Sequence, residues 1–187
     1  MKKRLLIVSA LVLVLAILGA GTLAYFTSSA TAHNVVTTGG VGITLVEKML
    51  DADGKEVDFT NQNGIMPGQS VSKIVRVLNN AEKSAEAWIR VKVEKAVTVD
   101  GKELDASVIT MDFNTTDWTE KDGWFYYNKS VMPGDETTNL FTKVNFAGVE
   151  MDNAYQNATV TVTVSAQAVQ TKNNGTTVLT AAGWPIA

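Results

Sequence analysis

Few residues in this sequence have side chains that commonly carry catalysis. The chain contains no cysteine and a single histidine, His33. Thiolate metal sites, cysteine nucleophiles and disulfides are therefore excluded, and so is a zinc site of the His-Glu-x-x-His type, which needs two imidazoles. A Ser-His-Asp triad would have to use His33, which lies in a polar stretch near the N-terminus. The composition thus argues against the common hydrolytic sites.

An acidic run in the first third of the chain has the residue types that bind calcium. Asp51, Asp53, Glu56 and Asp58 lie close together in the sequence. An EF-hand loop starting at Asp51 would need glycine at its sixth position and glutamate at its twelfth, but Glu56 and Gln62 stand there. A solvated Asp-Gly hairpin therefore explains the run, and weak calcium binding is the alternative. No other cofactor is predicted.

An aromatic cluster is the remaining group that could recognise a ligand. Trp124, Phe125, Tyr126 and Tyr127 are consecutive. In a strand, Phe125 and Tyr127 share one face, and Trp124 and Tyr126 share the other. One face is expected to join the core, and the other is either edge cover or a patch that binds a sugar or a partner protein. Trp124 and Tyr126 are therefore the candidate surface patch.

Alternating apolar and polar residues predict the elements that would position these groups. Residues 89–93 and 159–168 alternate with a period of two, which is typical of half-buried strands. Asp-Gly, Asn-Gly and Pro-Gly pairs separate such runs and predict tight turns. The pattern predicts an all-β fold, a single antiparallel β-sandwich of jelly-roll-like type, over residues 41–187. Trp184 and Pro185 are expected to dock the C-terminal segment onto it.

The N-terminal segment has the layout of a secretory signal peptide. Lys2, Lys3 and Arg4 precede an apolar run over residues 5–18, and small residues follow. Residues 1–25 are therefore predicted to be a signal peptide. An uncleaved membrane anchor is the alternative, because the run approaches the roughly 20 residues of a membrane span when residues 23–26 are added.

Loss of this leader would make an acidic chain more acidic. The formal net charge is −3, and the leader carries basic residues but no acidic ones. An acidic surface argues against nucleic acid and anionic lipid as partners. Contact with a membrane is expected only through an uncleaved leader.

The region around the end of the leader carries a family resemblance. It reads Gly21-Thr22-Leu23-Ala24-Tyr25-Phe26-Thr27 and is followed by Ala32, Gly39 and a predicted strand over residues 41–45. Further matches are Pro67-Gly68 before Val71, then Asn79-Asn80 and Trp88-Ile89-Arg90-Val91-Lys92-Val93. Together these resemble TasA/camelysin-type exported proteins of Gram-positive bacteria over roughly the first half of the chain. Small residues alone would allow cleavage after Ala24, Ala30 or Ala32. The resemblance implies processing by a SipW-type signal peptidase near Ala24, Tyr25 and Phe26.

The same resemblance implies a function outside the cell. Proteins of this type form biofilm-matrix fibres, so the expected function is a secreted, non-enzymatic structural protein that assembles with copies of itself. Camelysin-type relatives are described as metallopeptidases, which leaves a metal-dependent surface protease as an alternative. A monomeric adhesin or carbohydrate-binding module is the other alternative. The expected location is the cell surface or matrix of a Gram-positive bacterium.

The segment between the leader and the body provides a mechanism for assembly. Residues 26–40 are rich in serine, threonine and glycine and are predicted to be a flexible arm. Such an arm could complete a sheet in a neighbouring copy and give an open head-to-tail polymer. The alternative is that the same strand folds into its own domain. The candidate donor strand comprises Val35, Val36, Val41, Ile43 and Leu45.

Overall fold

The computed structural model describes residues 26–38, 40–82 and 84–185, and for residues 26–38 it describes the backbone alone. The predicted signal peptide lies outside the described residues, and so do Ala24 and Tyr25 of the predicted cleavage region. Phe26, the third residue of that region, begins the first strand. Within the described ranges, no helix is long and apolar enough to cross a membrane.

The described residues form twelve strands and three short 3₁₀ turns. The strands are β1 (Phe26–Thr38), β2 (Ile43–Leu50), β3 (Glu56–Asp58), β4 (Gln62–Ile65), β5 (Ser70–Asn79), β6 (Ala87–Val99), β7 (Lys102–Leu104), β8 (Ile109–Met111), β9 (Trp118–Lys121), β10 (Trp124–Tyr127), β11 (Phe141–Phe146) and β12 (Thr159–Gln170). The 3₁₀ turns are Ala106–Val108, Asn153–Tyr155 and Val178–Thr180.

Two sheets pack face to face around one main core. The first has the order β4-β1-β12-β6-β10-β9, with β7 paired to β6, and the second has the order β3-β2-β5-β11-β8. The alternation in β12 places Val160, Val162 and Val164 in the core at no more than 1% exposure, whereas Thr161 and Thr163 are half-buried on the opposite face. The predicted all-β sandwich is therefore confirmed.

Tight turns set the register of the hairpins. At Asp122-Gly123 both residues have positive φ, 52° and 75°, and Asp100-Gly101 has 50° and 78°. Two positive φ values in succession give the type I′ geometry, whose twist matches that of the flanking strands. The turn at Asp122 therefore places Trp124 of β10 directly opposite Lys121 of β9.

The first strand differs from the sequence-based expectation. The sequence predicts a flexible arm over residues 26–40, but the structure has a strand there, paired with β12 from Thr27 opposite Thr159 to Thr38 opposite Val169. This pairing is parallel, whereas the other strand pairs described are antiparallel. Two physical reasons account for the difference. Threonine and valine favour strands, and without β1 the edge of β12 would keep its backbone groups unpaired.

Candidate assembly edge and aromatic face

The strand β1 lies at the edge region of the first sheet. On one side it pairs with β12 along most of its length, with a shift in register between Ala32 and Val35. On the other side β4 covers only its beginning, where Phe26 is opposite Ile65 and Ser28 is opposite Gln62. From residue 29 onward, no strand among the described residues pairs with this outer side. An unpaired strand edge is a template for pairing with another chain.

The candidate donor residues do not form one continuous strand. Val35 and Val36 belong to β1 and lie opposite Ala166 and Gln167. Ile43 and Leu45 belong to β2, which is in the second sheet, and Val41 is buried in the connection between them. Glycines at positions 39, 40 and 42 favour this break because they carry no side chain to pack in a strand. The candidate donor strand of the sequence analysis is thus divided between two sheets.

A buried ion pair lies beside the point where the chain crosses from β3 to β4. The Lys73 Nζ is 2.6 Å from Glu47 Oε1, and the two side chains are 1% and 10% exposed. The same ammonium lies 4.0 Å from the centre of the Phe59 ring, and the Phe59 amide donates to the Glu47 carbonyl oxygen at 3.3 Å. Burial lowers the pKa of Lys73, and the charge of Glu47 opposes this shift. The crossing is therefore anchored by a charge pair removed from water.

The candidate surface patch is largely covered. Tyr126 is only 8% exposed, and the ring of Trp184 from the C-terminal segment packs edge-on against it at 5.9 Å. Trp124 is half-buried. The expected docking of the C-terminal segment through Trp184 is confirmed, but Tyr126 is not part of an exposed patch. Of the two alternatives for this face, Tyr126 shows cover, and the alternation of a single strand does not reveal which distant segment supplies it.

An arginine joins these aromatic residues. The Arg90 guanidinium carbon lies 4.1 Å from the Trp124 ring centre and 4.6 Å from that of Trp184. Its Nε and Nη2 donate to Gln167 Oε1 at 2.9 and 2.7 Å, and Nη1 donates to the Tyr126 hydroxyl at 3.1 Å. The guanidinium thus lies close to two indole rings and donates to neutral hydrogen-bond acceptors.

The acidic run forms a turn in which the carboxylates of Asp51, Glu56 and Asp58 have different partners. Asp51 Oδ1 accepts hydrogen bonds from the amides of Asp53 and Lys55, both at 2.9 Å. Asp58 pairs with a lysine at 2.7 Å and Glu56 with an arginine at 2.9 Å. Over the described part of the chain, no group of three or more His, Cys, Asp or Glu residues is arranged to hold a metal ion. The residues of the alternative interpretation, weak calcium binding, are therefore not brought together as a group of ligands.

Comparisons with protein-family models, with curated proteins and with solved structures found no match to this chain. The resemblance to TasA/camelysin-type proteins accordingly remains a prediction from sequence. The sheet edge along β1 and the outer face of the first sheet are the structural features that bear on function.

Proposed function

We propose that this chain is an exported structural protein that polymerises outside the cell by exchanging strand β1 between copies. One observation carries the proposal: β1 belongs to the first sheet, yet only residues 39–42 connect it to β2 in the second sheet. Its partner β12 is remote in sequence and parallel, so no hairpin ties the two strands together. A β1 from another copy can therefore make the same contacts.

Removal of β1 would leave the edge of β12 unpaired, and this edge would favour pairing with another β1. β12 lies between β1 and β6, so without β1 it becomes an edge strand over Thr159–Gln170. Its backbone donors and acceptors on that side would lose their partners, which is unfavourable in a strand that packs on a core. The β1 of a neighbouring copy supplies the missing groups, and exchange of an identical element is a low-cost route to association. Head-to-tail repetition of this exchange gives an open fibre.

Cysteine cross-linking can distinguish exchange between copies from insertion within one copy. Thr31 lies opposite Thr163 in the parallel register, and the chain has no native cysteine. We expect that mixing the single variants Thr31→Cys and Thr163→Cys, each lacking residues 1–25, gives disulfide-linked heterodimers in the polymer fraction after oxidation. Thr110→Cys, on an exposed position of β8 in the second sheet, is the matched control for Thr163→Cys.

The same variants define the result that would overturn the proposal. If the mixed single variants stay uncrosslinked in a sample shown by electron microscopy to contain fibres, β1 is not the element that joins the copies. If the chain stays monomeric at high concentration and the double variant closes its disulfide only within one chain, polymerisation itself is wrong.

A further inference from the structure

Three cations surround a partly exposed tryptophan on the outer face of the first sheet. In register, Tyr126 lies opposite Arg90, and Trp124 lies opposite Lys121. Lys92 is two residues from Arg90 on β6 and shares its face, so the same antiparallel register brings it level with Trp124. The stacking of Arg90 on Trp124 at 4.1 Å confirms that β6 and β10 present these residues to the same side.

The charge on this face is only partly compensated. Lys92 is 38% exposed at its side chain and pairs with Glu94 at 2.7 Å. Arg90 contacts neutral groups, and Lys121 is exposed; across the described side chains, neither has a carboxylate partner. Arg76, by contrast, is held between two glutamates. The face therefore carries more positive than negative charge, although the exposed Asp122 adjoins Lys121. The whole chain has a net charge of −3.

We propose that Trp124, Arg90, Lys92 and Lys121 form a binding site for an acidic polysaccharide, here called the cationic tryptophan patch. The apolar C–H face of a sugar ring packs against an indole, because both surfaces are flat and weakly hydrated. Carboxylates on neighbouring sugar rings would pair with the lysine ammonium groups and with the guanidinium hydrogens that Gln167 and Tyr126 leave free. The arrangement thus selects a sugar chain that carries regular negative charge.

The same features argue against nucleic acid as the ligand. Sites for single-stranded nucleic acid combine a strongly basic groove with several aromatic rings on which successive bases stack. Here the second aromatic residue of the face, Tyr126, is 8% exposed and packs against Trp184. An acidic sugar chain, with about one charge per ring, suits a single ring platform flanked by three cations.

Polysaccharide binding at this patch would not require strand exchange. The patch lies on β6, β9 and β10 of a single copy, and β1 is separated from β6 by β12. A monomer would bind the polysaccharide, and a fibre would present one patch per copy. Failure of polymerisation and failure of sugar binding are therefore separate results.

Calorimetric titration of the purified chain with polygalacturonate oligomers tests the proposal. We expect Lys121→Glu to weaken binding about three- to tenfold, because a surface ion pair becomes a repulsion. Trp124→Leu should weaken it at least about tenfold, because the flat ring on which the sugar packs is removed. The matched control is Lys143→Glu, an equal charge change at an exposed position of β11 in the second sheet, which should leave affinity within about twofold.

Thermal unfolding of each variant establishes that it folds. If Trp124→Leu does not fold, the affinity of Lys121→Glu is the measurement that tests the proposal. The proposal is overturned if Lys143→Glu weakens binding as much as Lys121→Glu. It is equally overturned if neutral oligosaccharides of the same length bind as tightly, if a DNA oligomer of matched charge binds more tightly, or if polygalacturonate does not bind.

Discussion

Removal of Glu47 should destabilise the fold more than removal of its partner Lys73. Lys73 is 1% exposed and Glu47 is 10% exposed, so a carboxylate left alone can reach water more easily than an ammonium left alone. Breaking a buried ion pair by removing one partner typically costs about 3–5 kcal/mol. We expect Glu47→Leu to lower the free energy of unfolding by about that amount. Lys73→Met should cost about 1–3 kcal/mol, and the double variant should be close to the unaltered chain.

The pH dependence of stability gives an independent measurement of the same effect. Burial already lowers the pKa of Lys73 below its ordinary value of 10.5. Between the folded-state pKa and 10.5 the unfolded chain binds more protons, so this group makes stability rise with pH in that window. Glu47→Leu removes the charge that opposes the lowering of the Lys73 pKa. In that variant the folded-state pKa of Lys73 is lower still, so stability begins to rise at a lower pH. The stability deficit of Glu47→Leu should therefore shrink as the pH is raised toward 10.5.

Urea unfolding of the unaltered chain, both single variants and the double variant at several pH values completes the test. The double-mutant cycle isolates the coupling between the two side chains from their separate packing contributions. The reasoning fails if Lys73→Met costs more than Glu47→Leu. It also fails if the deficit of Glu47→Leu stays constant with pH, since Lys73 would then not be the group that is left buried and charged.

Two further variants test the loop and tail geometry. Burial raises the pKa of Asp112, but hydrogen bonds from Thr142 and the next amide outweigh this and hold the pKa below 3.8. Its stabilisation is present above pH 3.8 and is lost as the pH falls through the folded-state value, so the stability difference between the chain and Asp112→Asn, measured by urea unfolding, should shrink on acidification. Gly175 has a φ of +68°, and an added Cβ would lie 2.9 Å from the backbone of Thr180. Gly175→Ala should therefore cost more unfolding free energy than Gly54→Ala, where φ is +76° but nothing lies within 4 Å; equal costs would show that the tail yields freely.

The sequence predicts the local features of this fold better than its long-range pairings. The alternation of β12 gives both the strand and its buried face, because a period of two is a local property. The parallel pairing of β1 with β12 depends on which edge remains free after folding, and no local pattern in residues 26–38 shows that. The serine and threonine content of the segment favours two interpretations, a flexible linker and a strand at the edge of a sheet.

In the candidate sites, too, local features are predicted better than contacts between distant segments. The facing of Trp124 and Tyr126 is predicted correctly, but Tyr126 is covered by Trp184, which belongs to a segment distant in sequence. The sequence also contains a signal for the buried ion pair. Glu47 and Lys73 each occupy an inward position of an otherwise apolar alternation, and two opposite charges at such positions on neighbouring strands indicate a pair.

The contacts of the C-terminal segment and the register of β1 bear on which end of the described chain can exchange between copies. The C-terminal segment is fixed by side chains: Trp88 Nε1 donates to the Asn174 carbonyl oxygen at 3.0 Å, and Asn174 makes two further hydrogen bonds to Ala182. Such contacts need a specific sequence on both sides. The pairing of β1 with β12 is built from backbone groups, which any copy presents in the same register. The β1 of another copy would restore this backbone pairing, whereas the C-terminal segment cannot leave without exposing Trp88 and Arg90.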